Sequence, residues 1–186
     1  MKKLLIIPMF FACFMSMGQA SAGGGKHFIG EKFGGGIVFH VTKDGLHGLI
    51  AATSDQSKGI IWGGTEVGDK DSTGTSIGTG LSNTNYIIKE QDSANANVID
   101  PPSYAAGLAR SYEGGGYSDW YLPSKDELAK LYALKLLRFG GLANFSYWSS
   151  SITVDGHGVW GQRFDNGELT EYAKHNTFYV RAIRSF

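Results

Sequence analysis

The chain of 186 residues holds a single cysteine, Cys13, and it lies in an N-terminal apolar run. Beyond that run there is no thiol. A disulfide, a thiolate metal site and a cysteine nucleophile are therefore excluded from the rest of the chain. Charge of one sign is lacking too, with 17 basic and 17 acidic residues. Without the dense positive field that a nucleic-acid binder needs, no nucleic-acid partner is expected. After Met17 no apolar run is long enough to cross a bilayer. Residues 1–22 read as a signal peptide: Lys2-Lys3, an apolar stretch from Leu4 to Met17, then Ala20-Ser21-Ala22 as a cleavage site. Export is the expectation, with cleavage after Ala22. Residues 23–33 read as a flexible leader that opens on Gly23-Gly24-Gly25, and 34–186 as one domain.

The richest stretch runs from Gly114 to Leu128. Gly114-Gly115-Gly116 is a turn, Trp120-Tyr121-Leu122 a short buried strand, and Pro123 its stop. Ser124 and Glu127 have the spacing of a capping box, so a helix starts at Lys125. Leu128, Leu131, Tyr132 and Leu136 give that helix its buried face, and Gly140-Gly141 lies past its end. An earlier helix starts at Asp100-Pro101 and carries Tyr104, Leu108 and Tyr112 on one stripe. Residues 63–100 read as polar loops with room for one helix near Leu81 to Gln91.

Strands flank these helices. Ile37 to Val41 and Leu46 to Ala52 form a hairpin about Asp44-Gly45, and Ile60-Ile61-Trp62 is a short strand. Later come Tyr147 to Ser151, Val159 to Phe164, Leu169 to Tyr172 and Phe178 to Arg184. Asn166-Gly167 supplies a tight turn. The order implies an α+β fold with two main helices, mostly antiparallel sheets and long loops.

Five pieces in this order carry a resemblance: Gly35 to Val41, Gly114 to Leu128, Tyr147 to Ser151, Trp160 to Phe164 and Tyr179 to Arg184. Together they resemble the Lcl C-terminal domain family, named after a collagen-like bacterial adhesin, and more widely the C-type-lectin-like fold. The resemblance implies an extracellular or cell-envelope location, a homotrimer as in the named member, and binding of sulfated glycosaminoglycans. The collagen-like repeats of that adhesin are not in this chain. Nor are the Glu-Pro-Asn, Gln-Pro-Asp and Trp-Asn-Asp motifs of calcium-dependent lectins. Calcium-dependent sugar binding is therefore not implied. Formylglycine-generating enzymes share the fold but need cysteines for catalysis.

Each candidate ligand contact also fits an ordinary structural role. Trp120, Trp148 and Trp160 fit a core, whereas Trp62, beside a glycine-rich loop, is the better candidate for exposure. Arg163 and Lys174 flank the Asn166-Gly167 hairpin and would share a cationic face for sulfate groups, with His175 adjoining. Arg181 alternates with Tyr179 and Ile183, which suits a buried ion pair as well as a ligand contact. Asp155, Asp165, Asn166 and Glu168 are calcium-type oxygen donors, as are Asp69 and Asp71, but turn chemistry explains the late set. Ser149 to Ser151 with His157 lack a nucleophile elbow, so no catalytic residue is assigned. The expectation is an exported, non-enzymatic, adhesin-like domain without cofactor or metal. Its partner would be an acidic or sulfated extracellular glycan. The alternative is a protein-binding or structural envelope module that meets a host or cell-surface protein.

Overall fold

A computed structural model describes residues 25–64, 72–94 and 103–186. The expected signal peptide, Asp69, Asp71 and the Asp100-Pro101 helix start lie outside these residues. The architecture is α+β. In chain order it contains β1 (Lys32–Phe33), β2 (Gly36–Val41), β3 (Gly48–Ala51), β4 (Ser57–Ile61), α1 (Gly80–Ala94), α2 (Ala105–Ser111) and α3 (Lys125–Leu136). There follow β5 (Ser146–Ile152), β6 (Val159–Arg163), β7 (Leu169–Tyr172), β8 (Thr177–Val180) and β9 (Ile183–Ser185). One sheet has the order β1-β2-β3-β9 and the other β4-β8-β5-β6-β7. All pairings are antiparallel except β5 with β8.

Three helices are present among the described residues, the two main ones and the additional one for which the stretch near Leu81 to Gln91 had room. The third is α1, in the stretch read mainly as loops. Its polar sequence gives a weak apolar stripe, and long-range bonds fix it. Asn83 Nδ2 donates to Ser150 Oγ at 3.2 Å, and Thr84 Oγ1 accepts from Leu122 N at 3.1 Å. α2 starts at Ala105, with Tyr104 extended before it. Tyr104 still enters the core, and burial pushes its hydroxyl pKa up to about 12. Residues 25–33, read as leader, include β1. They are tied to β2 and to the β2–β3 turn through Gly30 N to Val38 O and His27 N to Gly45 O, both 2.8 Å.

The capping box forms as its spacing requires. Glu127 N donates to Ser124 Oγ, while Ser124 N donates to Glu127 Oε2 at 2.7 Å. Gly78 N also donates to this fully buried carboxyl, at 2.8 Å. Leu128, Leu131 and Leu134 are buried, but Leu136 is 65% exposed. At 100° per residue Leu136 is turned about 80° past Leu128, which carries it off the buried face. Trp120-Tyr121-Leu122 is buried but forms no extended strand. It makes one bridge, Tyr121 to Ile183, which joins the segment to β9.

The two sheets meet where the chain passes from β8 to β9, at Arg181. This residue is buried, and its guanidinium contacts Asp55 Oδ1 at 2.7 Å. It also donates to Ala52 O at 2.9 Å, Gly140 O at 2.6 Å and Gly141 O at 3.3 Å. Asp55 accepts from the Tyr147 hydroxyl at 3.0 Å as well. Arg181 is therefore a structural ion pair.

Two predictions follow from these buried charges. Arg181→Met leaves Asp55 without its cation and lowers stability by about 3–5 kcal/mol in equilibrium urea unfolding. Arg181→Lys does not restore it, because an ammonium cannot reproduce the fork of donors. For Glu127, burial outweighs the backbone donors and holds the carboxyl above its ordinary value of 4.5. The native state then binds this proton more tightly than the unfolded chain. Its contribution is greatest below the unfolded value and is lost as pH rises through the folded value. The stability of Glu127→Gln relative to the parent should therefore rise with pH over that window, read from urea midpoints.

Candidate functional site

The expected ligand residues do not assemble. Trp62 is fully buried, and its indole Nε1 donates to Ser149 O at 2.8 Å, correcting its expected exposure. Lys174 is buried as well. Its ammonium lies 5.9 Å from the centre of the Trp62 ring and donates to Gly156 O at 3.3 Å. His175 is exposed in the turn that Asn176 N closes on Ala173 O. Arg163 is elsewhere. Gln162 faces Leu169 and Val159 faces Tyr172, so Arg163 stands at the turn of the β6–β7 hairpin and Lys174 beyond its open end. The shared cationic face is thus not formed. Arg163 is also paired, with Asp165 at 2.7 Å and Glu168 at 3.6 Å. Hydrogen bonding to Asp165 raises its pKa.

The other candidates take structural roles. Trp148 Nε1 donates to Ile60 O and Trp120 Nε1 to Tyr117 O, at 2.8 and 3.0 Å. Trp160 is only half-buried, with the Lys125 ammonium 4.4 Å from its ring centre. Ser149 donates to Trp160 O and Ser151 to Gly74 O, and Ser150 accepts from Asn83. All three serines are buried, while His157 is exposed. Asp155 accepts from Thr153 Oγ1 and His157 N, and the Thr153 bond holds its carboxyl below the ordinary value. No group of three His, Cys, Asp or Glu side chains placed to hold a metal occurs among the described residues.

A different face has the features of a binding surface, and the Gly114–Leu128 segment builds it. Gly114 and Tyr117 bridge across a tight turn. Gly115 there meets Gly35 so closely that a Cβ on Gly115 would lie 2.1 Å from Gly35 Cα. The β1–β2 turn is thereby seated against the central motif. Tyr117 projects from it, exposed. The guanidinium of Arg184 packs on its ring, 3.8 Å from the centre. That guanidinium is fixed by Asp119, Nε to Oδ1 at 2.7 Å and Nη2 to Oδ2 at 2.8 Å, and donates to Gly34 O at 3.2 Å. The pair was missed in the sequence because the partners are 65 positions apart. The repeated basic residues of Tyr179-Val180-Arg181-Ala182-Ile183-Arg184 were its only signal.

Three grooves border this ridge. One of about 430 Å³ is lined by Glu113, Gly116, Tyr117 and Ser118. A second, about 350 Å³, shares Glu113 and adds Tyr112, Ser54, Asp55 and Gln56. The third, about 330 Å³, lies along Lys32 to Gly36 with Thr53. Asp119 is answered by Arg184 and Asp55 by Arg181. Lys32 and Arg110 then stand against Glu113 as the remaining charges, with Arg110 bonded to Ser118 O at 3.3 Å. The face offers an exposed ring, hydroxyl and amide groups, and two flanking cations.

Asp119 sits below its ordinary value of 3.8, chiefly through the Arg184 hydrogen bonds. A depressed carboxyl contributes stability above its unfolded pKa and loses it as pH falls through the folded one. Asp119→Asn should cost up to about 1 kcal/mol at neutral pH, since solvent screens this half-exposed carboxylate. The difference from the parent should shrink in thermal melts below that ordinary value.

Comparison with curated proteins finds no match. A family model does match, described as the Lcl C-terminal domain, over residues 51–184. That span takes in Asp55, the Gly114–Leu128 segment, Asp119, Arg181 and Arg184, which seat the ridge and tie the two sheets. By this match over most of its length, the chain belongs to the Lcl C-terminal domain family.

Proposed function

We propose that this chain is an exported, non-enzymatic, adhesin-like binding domain of C-type-lectin-like type, and that it recognises an acidic or sulfated glycan across the Tyr117 ridge. The observation that carries the reading is the exposed Tyr117 ring, held by a clamped Arg184 between three adjoining grooves. Pyranose rings stack their C–H faces on such aromatics, and hydroxyls and amides around the ring bond the sugar's own hydroxyls. Lys32 and Arg110 supply charged donors for carboxylate or sulfate groups. Family membership supports the adhesin-like, extracellular setting.

The ridge is held by a salt bridge and by two touching glycines, so it is formed before a ligand arrives. Binding then costs little ordering entropy. A homotrimer, as the family resemblance implies, would present three such ridges and multiply a weak single contact.

Tyr117→Ala should weaken heparin binding about tenfold in isothermal titration at low ionic strength, with the melting temperature nearly unchanged. Lys32→Ala with Arg110→Ala should flatten the dependence of affinity on salt. The reading fails if heparin does not bind even at low salt, or if binding ignores all three side chains. A protein-binding or envelope role without glycan recognition would then replace it.

A further inference from the structure

Five of the exposed large apolar side chains come from two segments that meet. Phe28, Ile29, Leu136, Leu137 and Phe139 all project into solvent, with Phe28 64% exposed. The first two precede β1 and the others end α3, yet they share one tip. The Phe139 ring lies against Gly30, where a Cβ would stand 2.9 Å from it. A cluster of this kind marks an interaction site more often than chance exposure does.

The tip is held in place. Leu137 N and Phe139 N both donate to Leu134 O, at 3.1 and 3.3 Å, closing the end of α3. Between them Arg138 has φ +62°, a left-handed conformation that costs a non-glycine residue about 1 kcal/mol or more. The next two residues, Gly140 and Gly141, give their carbonyls to the buried Arg181. A strained residue between two fixed points keeps Leu137 and Phe139 turned outward.

Charge decides what would cover the tip. Arg138 stands between Leu137 and Phe139, exposed, and makes no ion pair among the described residues. Lys130, one face of α3 away, is exposed and close enough to β2 for its charge to act on His40. Lys26, exposed, packs over Gly45 at the β2–β3 turn. Two acids on the neighbouring segments are engaged: Glu31 pairs with His27 at 2.9 Å, and Asp44 accepts from Leu46 N and Thr42 in its own turn. A protein partner with an apolar groove would have to bury Arg138 beside the two side chains it needs. A bilayer surface would not. Its acyl boundary takes apolar side chains while anionic headgroups, only a few ångströms above, take the cation.

We propose that this tip is a docking surface for an anionic phospholipid bilayer. Leu137, Phe139 and Phe28 enter the headgroup–acyl boundary, and Arg138, Lys130 and Lys26 meet the phosphates. The surface uses none of the residues assigned to the glycan ridge.

The test is flotation of the exported protein with vesicles of phosphatidylcholine alone and of phosphatidylcholine with phosphatidylglycerol. The expected result is binding to the anionic vesicles that Leu137→Ser/Phe139→Ser weakens about tenfold or more. Arg138→Gln should weaken binding to anionic vesicles only. Arg138→Gln should keep the parent's melting temperature, the double variant should stay folded despite losing the Phe139 contact with Gly30, and both should keep the parent's heparin affinity. That last readout separates failure here from failure of the glycan reading. The proposal is overturned if the parent fails to float with anionic vesicles, or if the variants float as the parent does. It is overturned equally if light scattering shows the parent self-associating through this tip and the double variant monomeric, with no vesicle binding. The occupant would then be a second copy of the chain.

Discussion

The guanidinium of Arg181 is buried at the crossing from one sheet to the other, and its charge has to be met by oxygens from separate stretches of chain. Asp55 and Ala52 lie after β3, and Gly140 and Gly141 follow α3. Tyr147, from β5, donates its hydroxyl to the same carboxylate, and burial beside Asp55 holds that hydroxyl protonated well above its ordinary range. Each partner is useful only when the others are in place. A domain whose only cysteine lies at its N-terminal end has no covalent means of tying such loops together. A desolvated ion pair with every donor answered does that work, at the cost of tolerating few changes around it.

A second arginine of the same strand pair acts at the surface in a related way. Arg184 is held by Asp119 and packs on Tyr117. The segment Gly114 to Leu128 is therefore both scaffold and surface. Its buried half, Trp120 to Glu127, joins β9 and caps α3. Its exposed half, Gly114 to Asp119, forms the ridge. The proposed binding function depends on interior packing through these two arginines, three positions apart in the chain.

What could be read in the sequence was mainly local. The Ser124–Glu127 box spans three positions, and Asn166-Gly167 carries its own backbone preference, so both were legible. The central leucines of α3 followed from their spacing, but Leu136 did not, because its position around the helix is rotated off the face that Leu128, Leu131 and Leu134 share. α1 was half-seen, since Asn83 and Thr84 hold it through Ser150 and Leu122, far along the chain. Trp62 was misplaced for the same reason: its indole bonds to Ser149, 87 positions away. Arg163 and Lys174 both flank the Asn166-Gly167 turn in the sequence, but Arg163 is next to it and strand register puts Lys174 beyond the other end of the hairpin. The Tyr117 ridge was not legible, because its grooves join residues from the β1–β2 turn, the β3–β4 loop and the central motif.

The position of β8 and β9 bears on when this chain can fold. β8 lies between β4 and β5, β9 closes against β3, and the two carry Arg181 between them. Until residues 177–185 are available, β4 has no neighbour among the described strands, β3 has an open edge, and Asp55 is a buried carboxylate without a cation. The earlier part of the domain therefore gains little by collapsing ahead of its last strands. Such non-local closure makes folding late and slow relative to a local hairpin. Under the export proposed above, a chain that cannot close before its β8 and β9 strands arrive would stay extended enough to thread a narrow pore.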